Sequence, residues 1–292
     1  LISAVGLACS ASSGIKSFAA GHGGGMVKRL HLGRSAEAGV RMAQLASRGF
    51  AGPPLALESR FGLLEVFGGA GAQPEKISRE LGNVWAMRDV WFKVYPICGW
   101  IQSVVQLVVA LRGGPPLAAD AVETVEVGVS RYAAQNNGEL APVDTMGAQY
   151  SIPYCAAVAL LGDPRDPAWF QPGAVNDPAT RKLAAKVRIV IDPAVEAVYP
   201  AKFGARVKLT LADGSISERT VLECHGTPSD PCSNSELVDK FHLLAGSRLP
   251  PDAVSDLARR VDEIATLPVR TLTKPLRVGS TILRSDRKAA GS

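Results

Sequence analysis

Three runs of alternating apolar residues, Val125-Val127-Val129, Val187-Ile189-Ile191 and Val207-Leu209-Leu211, interrupt a chain whose remaining periodicity is helical. An alternation of period two is what a half-buried strand requires. Asp213-Gly214 turns the third run back into residues 216–222, a hairpin signal. Helices are expected over 3–20, ending at Gly21, and along the small-residue face Ala36, Gly39, Val40, Ala43 and Ala46, with Gly49 as its stop. Further helices are expected over 54–67, 74–81 and 99–111, the last stopped by Gly113-Gly114-Pro115-Pro116. Another covers 145–161, with Pro153 as a kink or a late start. Ser233-Asn234-Ser235-Glu236 matches a capping box for a helix over 234–245, and 251–264 is the last helix. Helices, then a mixed section, then helices fit an α+β fold, with a smaller α+β part inserted in a helical domain, better than a doubly wound sheet.

With 47% of its 292 residues apolar, the chain can bury a sizeable core. No apolar run reaches the roughly 18 residues of a membrane span. The nearest, 101–111, is shorter and carries Gln102, Ser103 and Gln106. Residues 1–8 are apolar but lack a basic stretch before them, so they read as the inside of a helix rather than a signal peptide. The five cysteines are odd in number and contain no C-x-x-C, which argues against a disulfide framework or zinc ribbon and for a reducing cytoplasm. Cys224, His225 and Cys232 lack a fourth ligand of suitable spacing, so no metal is expected. A net charge of +5 suits acidic small molecules, whereas its dispersal and the few aromatics argue against nucleic acid. No G-x-G-x-x-G or Walker loop occurs, so no nucleotide cofactor is expected.

Gly23-Gly24-Gly25 precede Lys28, Arg29, His31 and Arg34 at the start of a helix. Glycines let the backbone approach a ligand, and a helix start with basic side chains suits a carboxylate or phosphate. Lys28 is then a carboxylate anchor or an acid/base group, against the alternative of a solvated lysine. His31, three residues on, shares that face or orients the loop. Lys93 stands among Trp91, Phe92 and Tyr95, either snorkelling or held for a ligand.

Four segments in register resemble the MmgE/PrpD family, which includes 2-methylcitrate dehydratase, cis-aconitate decarboxylase and iminodisuccinate epimerase. They are Met26-Val27-Lys28-Arg29-Leu30-His31-Leu32-Gly33-Arg34-Ser35-Ala36, then Phe92-Lys93-Val94-Tyr95-Pro96-Ile97-Cys98, then Ala148-Gln149-Tyr150-Ser151-Ile152-Pro153-Tyr154 with its following apolar helix, and last the 207–211 strand with Asp213-Gly214 and the 233–241 helix start. Together they cover roughly residues 1–265. The resemblance implies a large helical domain and a smaller α+β lid with the site between them. On this sequence that divides into 1–90 as the later part of the helical domain, 91–232 as the lid, 233–270 as returning helices and 271–292 as a flexible basic tail. It also implies that an earlier helical portion is missing, one that carries an Asp/Thr/His site loop and a further histidine.

The resemblance further implies a homodimer and cofactor-independent chemistry on small di- or tricarboxylates. Lys28, His31 and Tyr154 become the catalytic candidates, and Lys28, Lys93 and Cys98 the substrate-binding ones. Tyr154 matches a family site tyrosine, with a core tyrosine as the alternative. Cys98 stands where the family has a cysteine or, in the decarboxylase, a site histidine. A thiol is a poor imidazole substitute near neutral pH, and a small packing cysteine is the other reading. Gln102 departs from a histidine found in many members. The expected activity is dehydration of a hydroxy-tricarboxylate such as 2-methylcitrate. The alternatives are epimerisation of an imino- or amino-dicarboxylate, and a non-catalytic fragment or one half of a split enzyme.

Overall fold

The computed structural model describes residues 1–19, 25–273 and 276. Helices α1 (Ile2–Ser10), α2 (Val27–Ser47), α3 (Leu63–Gly68) and α4 (Glu75–Ser78) come first. Then α5 (Gln102–Arg112) leads into β1 (Val122–Val129), α6 (Arg131–Asn136), α7 (Thr145–Tyr150), α8 (Ile152–Leu161), α9 (Pro178–Ala184), β2 (Val187–Ile191), α10 (Pro193–Val198), β3 (Ala205–Leu211) and β4 (Ile216–Val221). Helices α11 (Asn234–Ala245), α12 (Pro251–Asp262) and α13 (Val269–Thr273) follow. The architecture is α+β, as the strand and helix periodicities require.

The expected strands form one four-stranded sheet in the order β2-β1-β3-β4. Strand β1 runs parallel to β2 and antiparallel to β3, so Val127 faces Ile189 on one side and Val207 on the other. Its alternation places Val125, Val127 and Val129 in the core. Helices α5 and α8 pack together, α5 against β3 and α8 against β2. Every residue of α8 from Ile152 to Leu160 is buried, so this helix reads as continuously apolar rather than amphipathic. The edge strand β4 carries Glu218 and Arg219 and is nearly all exposed, a charged edge that discourages further pairing.

The apolar core runs from Ile97 to Leu209. Among the described residues before position 91, only Gly6 and Gly62 are buried. No helix among the described residues is long and apolar enough to cross a membrane.

Several expected helices are shorter in the structure. The 3–20 helix ends at Ser10 and resumes only as a 3-10 turn, Lys16–Ala19. A serine run intervenes, and Gly14 has φ +119, which a helix does not allow. The 54–67 helix shrinks to α3, because Gly62 is extended at φ −75, ψ 171 and the residues before it form turns. The 145–161 helix is two helices. Ser151 is extended at φ −94, ψ 116 and caps α8 by accepting from the Tyr154 backbone N–H, so Pro153 marks a late start. Four short helices went unread, α6, α9, α10 and α13, so the 251–264 helix is not the last; Ser130, Asp177 and Asp192 are the N-caps of the first three. Gly21, Gly23 and Gly24 of the glycine loop lie outside the described residues, as does the basic tail apart from 271–273 and 276.

Candidate active site

The turn from Lys93 to Cys98 is fixed through its backbone. The Gln102 side chain at the start of α5 accepts from Tyr95 N at 3.1 Å and donates to Tyr95 O at 3.0 Å. Gln149 on α7 donates to Pro96 O at 2.7 Å, while its own carbonyl accepts from Cys98 N at 2.9 Å. Lys240 on α11 donates to the Lys93 carbonyl. Phe92 N donates to Gly226 O at 2.8 Å. At Gly226, φ is +96 and a Cβ would lie 2.1 Å from Phe92 O, so this approach requires glycine.

So held, the turn buries Cys98 at its end and folds the Lys93 ammonium back to donate to Ile97 O at 3.0 Å. Burial pushes the Cys98 thiol up, while the Lys93 and Lys28 ammoniums act in the opposite direction. Burial also pushes Lys93 down, and the charges of Lys28 and Lys240 add to that. Lys28, in the first turn of α2, donates to the Tyr150 hydroxyl at 2.7 Å and lies 4.9 Å from that ring's centre, with Phe18 at 5.8 Å. Lys16 comes from the 3-10 turn and donates to the Tyr132 hydroxyl at 2.6 Å. That bond favours its charged form, and Tyr150 and Cys98 act in the same sense. Two ammoniums, Lys93 and Lys28, thus oppose the burial of one thiol, and Lys16 is held separately on Tyr132. Among the described residues, none of them pairs with a carboxylate.

Lys28 and Cys98 thus meet neighbouring residues of α7, Lys28 through the Tyr150 hydroxyl and Cys98 through the Gln149 carbonyl, and Lys93 stands at the other end of the same turn. His31 packs its ring edge-on against Phe18 at 5.7 Å and lines a cavity of about 270 Å³ with Ser12, Ser13 and Arg34, between α1 and α2. Tyr154 stands apart. It is buried in α8, its hydroxyl lies 2.6 Å from Trp169 O and 3.2 Å from Ala174 O, and burial pushes it up to about 12. The tyrosine that meets Lys28 is Tyr150. On one continuous helix, residues 150 and 154 would share a face; the extended Ser151 between them sends one to the lysines and the other to the core.

Sequence reasoning missed Lys16, Tyr132, Gln149 and Asn137. Asn137 is buried and donates to Tyr150 O at 2.8 Å, with its own oxygen left without a partner. The signal for Tyr150 and Gln149 lay in the Ala148–Tyr154 segment itself, whereas Lys16 sits in a stretch without periodicity. His225 bridges the carboxylates of Asp230, at 3.0 Å, and Glu236, at 2.9 Å. Among the described residues, no group of three or more His, Cys, Asp or Glu side chains is placed to hold a metal.

The MmgE/PrpD C-terminal domain pattern matches residues 95–264, and the MmgE/PrpD N-terminal domain pattern matches residues 1–75. The chain belongs to the MmgE/PrpD family. It is similar to cis-aconitate decarboxylase of Aspergillus terreus, at 27% identity over 270 residues that cover 87% of this chain and 54% of that protein. It is also similar to 2-methylcitrate dehydratase of Cupriavidus necator, at 26% identity over 86% of this chain and 54% of the relative. Cis-aconitate decarboxylase of Mus musculus is 25% identical over 82% of this chain and 50% of its own length. The chain spans about half the length of the curated relatives it matches.

Proposed function

We propose that this chain supplies the carboxylate-binding side of a cofactor-independent lyase that removes water from a small hydroxy-tricarboxylate such as 2-methylcitrate. The observation that carries this reading is that Lys28 and the Lys93–Cys98 turn both meet the end of α7, at the Tyr150 hydroxyl and the Gln149 carbonyl, with neither lysine paired to a carboxylate among the described residues. Buried or half-buried cations left without counter-ions favour an anionic ligand.

In such a reaction a base takes the proton next to a carboxylate, the carbon–carbon double bond forms, and the carbon–oxygen bond breaks. The lysines neutralise charge that builds on the substrate carboxylates. Tyr150 accepts a hydrogen bond from Lys28, so its own O–H proton is free to pass to the departing hydroxide, which leaves as water. Lys28 then holds the phenolate until the proton removed from carbon returns to it. Cys98 is a poor acceptor for the carbon-bound proton, because burial favours its neutral thiol. Its five free cysteines suit a reducing compartment such as the cytoplasm.

The test offers 2-methylcitrate, cis-aconitate and iminodisuccinate to the purified protein and to Lys28→Ala. Loss of 2-methylcitrate with formation of the alkene, abolished in the variant, is the expected result. Carbon dioxide release from cis-aconitate, or epimerisation of iminodisuccinate, would replace dehydration with decarboxylation or the epimerase reading. A variant equal to the parent would remove Lys28 from the chemistry.

A second reading, one part of a composite or dimeric enzyme, is supported by the apolar side chains exposed along the first 92 residues. Leu32 and Phe61 are each 81% exposed, and Leu30, Phe67 and Met87 are also open to solvent. A homodimer by sedimentation at micromolar concentration supports it, and a monodisperse monomer overturns the dimer.

A further inference from the structure

Helix α7 spans only Thr145–Tyr150, yet both of its ends are held by the segment that carries Lys28. At its start, one oxygen of Asp144 caps it by accepting from Gly147 N at 2.7 Å, and the other accepts from Gly25 N at 2.9 Å, just before α2. At its end, consecutive residues of α2 reach consecutive residues of α7. Lys28 donates to the Tyr150 hydroxyl at 2.7 Å, and Arg29 donates to the Gln149 side-chain oxygen at 3.0 Å.

Gln149 passes that grip on. While its Oε1 accepts from Arg29, its Nε2 donates to Pro96 O at 2.7 Å, and its main-chain carbonyl accepts from Cys98 N at 2.9 Å. Pro96 and Cys98 belong to the turn that Lys93 opens. The two side-chain bonds share one rigid amide plane, so a displacement of Arg29 is felt at Pro96. An amide is the group this link requires. A carboxylate could receive Arg29 but not donate to Pro96 O, and an ammonium could donate but not accept. The amide is half-buried, so the loss of either partner leaves a polar atom unmet.

We propose that Gln149 is the positioning residue that sets α2, with Lys28, in register against the 93–98 turn, with Lys93; this rests on the carboxylate-binding reading of those two lysines. A ligand that engages both segments needs them held at a fixed separation. Gln149 supplies that through Arg29 on one side and Pro96 on the other, and its side-chain bonds go to neither lysine.

The experiment compares the parent with Gln149→Met, Gln149→Glu, Arg29→Met and the Arg29→Met/Gln149→Met double variant. Iodoacetamide labelling of Cys98 reports whether the turn opens. Cys155, wholly buried in α8, reports opening of the whole core in the same sample. Calorimetric titration with tricarballylate reads the lysine site. Gln149→Met speeds Cys98 labelling relative to Cys155 and weakens tricarballylate, each by about tenfold. Gln149→Glu keeps the Arg29 bond but cannot donate to Pro96 O, so it matches Gln149→Met at Cys98. Arg29→Met, on the exposed first turn of α2, gives a smaller change of the same sign, and the double variant is no worse than Gln149→Met alone. Cys98 and Cys155 speeding up together in the variants, unchanged Cys98 labelling, or effects that multiply in the double variant would overturn the coupling. A parent that does not bind tricarballylate overturns the carboxylate-binding reading, while the labelling still decides whether Gln149 joins the two segments.

Discussion

The Lys28 ammonium donates to the Tyr150 hydroxyl at 2.7 Å, joining α2 to the end of α7 across 122 positions of sequence. A tyrosine oxygen that already accepts a hydrogen bond can still donate its own. The two side chains therefore divide the work of one site: Lys28 carries charge, and Tyr150 carries a transferable proton.

Tyr150→Phe should keep substrate binding within a few-fold and lower turnover by about 10² or more, the usual contribution of a general acid. Lys28→Gln should raise KM and lower kcat together. Steady-state kinetics on both variants separate the roles. A Tyr150→Phe enzyme with parental kcat removes the tyrosine from proton transfer.

Tyr154→Phe should do the opposite. Its single O–H proton goes to the Trp169 carbonyl at 2.6 Å, while Ala174 O, 3.2 Å away, already accepts from Asp177 N. Deleting it removes the hydrogen bond to the Trp169 carbonyl and should cost about 0.5–1.5 kcal/mol of stability, with kcat unchanged. Urea denaturation measures the first and turnover the second. A large kcat loss at unchanged stability would return Tyr154 to the chemistry.

Burial raises the thiols of both Cys98 and Cys155, and Cys155 lies wholly inside α8. Iodoacetamide at mildly alkaline pH should therefore label the partly exposed Cys9 and Cys232 well before either. Cys98→Ser should keep turnover within about tenfold, because a group that stays protonated does not serve as a base. Peptide mass spectrometry over a labelling time course reads the order. Early labelling of Cys98 would mean that the turn opens in solution.

His225 links the segment after β4 to the start of α11 through its two carboxylate partners. Burial opposes its charge, but the Asp230 and Glu236 hydrogen bonds outweigh that and raise it above its ordinary 6.5. Its contribution is therefore complete below about pH 6.5 and fades as pH rises through the raised value. Glu236 runs the other way. The Ser233 backbone and side chain, then His225, hold it down to about 2, so its contribution is present above 4.5 and fades toward that value. Thermal unfolding should show the parent losing more Tm than Glu236→Gln between pH 5.5 and pH 8.5. Equal losses would show that the bridge does not contribute. Glu236 is about half exposed, so solvent screens the pair and the difference is small.

The sheet and the paired helices around it were legible because each obeys one period over several residues. Val125, Val127 and Val129 can alternate only as a strand, and the Ser233–Glu236 capping box fixes its helix start to the residue. The segment between Ser10 and Val27 was not legible, since serines and glycines there satisfy no periodic pattern and Lys16 is placed by tertiary contacts alone. Lys28, Lys93 and Cys98 were singled out as site residues through the resemblance, since no periodicity marks them. Tyr150 was hidden by a local choice, the Ser151 cap, which ends one helix and starts another within a single residue.

The turn from Lys93 to Cys98 takes its shape from Gln102, Gln149 and Lys240, all of which grip main-chain atoms. None of these grips depends on which side chain stands at position 98. The frame and the reagent are thus built separately: the main-chain grips that shape the cradle do not run through the side chain at its end. A lineage can try a thiol, an imidazole or a hydroxyl there in a single step, and so change what the site does to a carboxylate without relearning how to hold it.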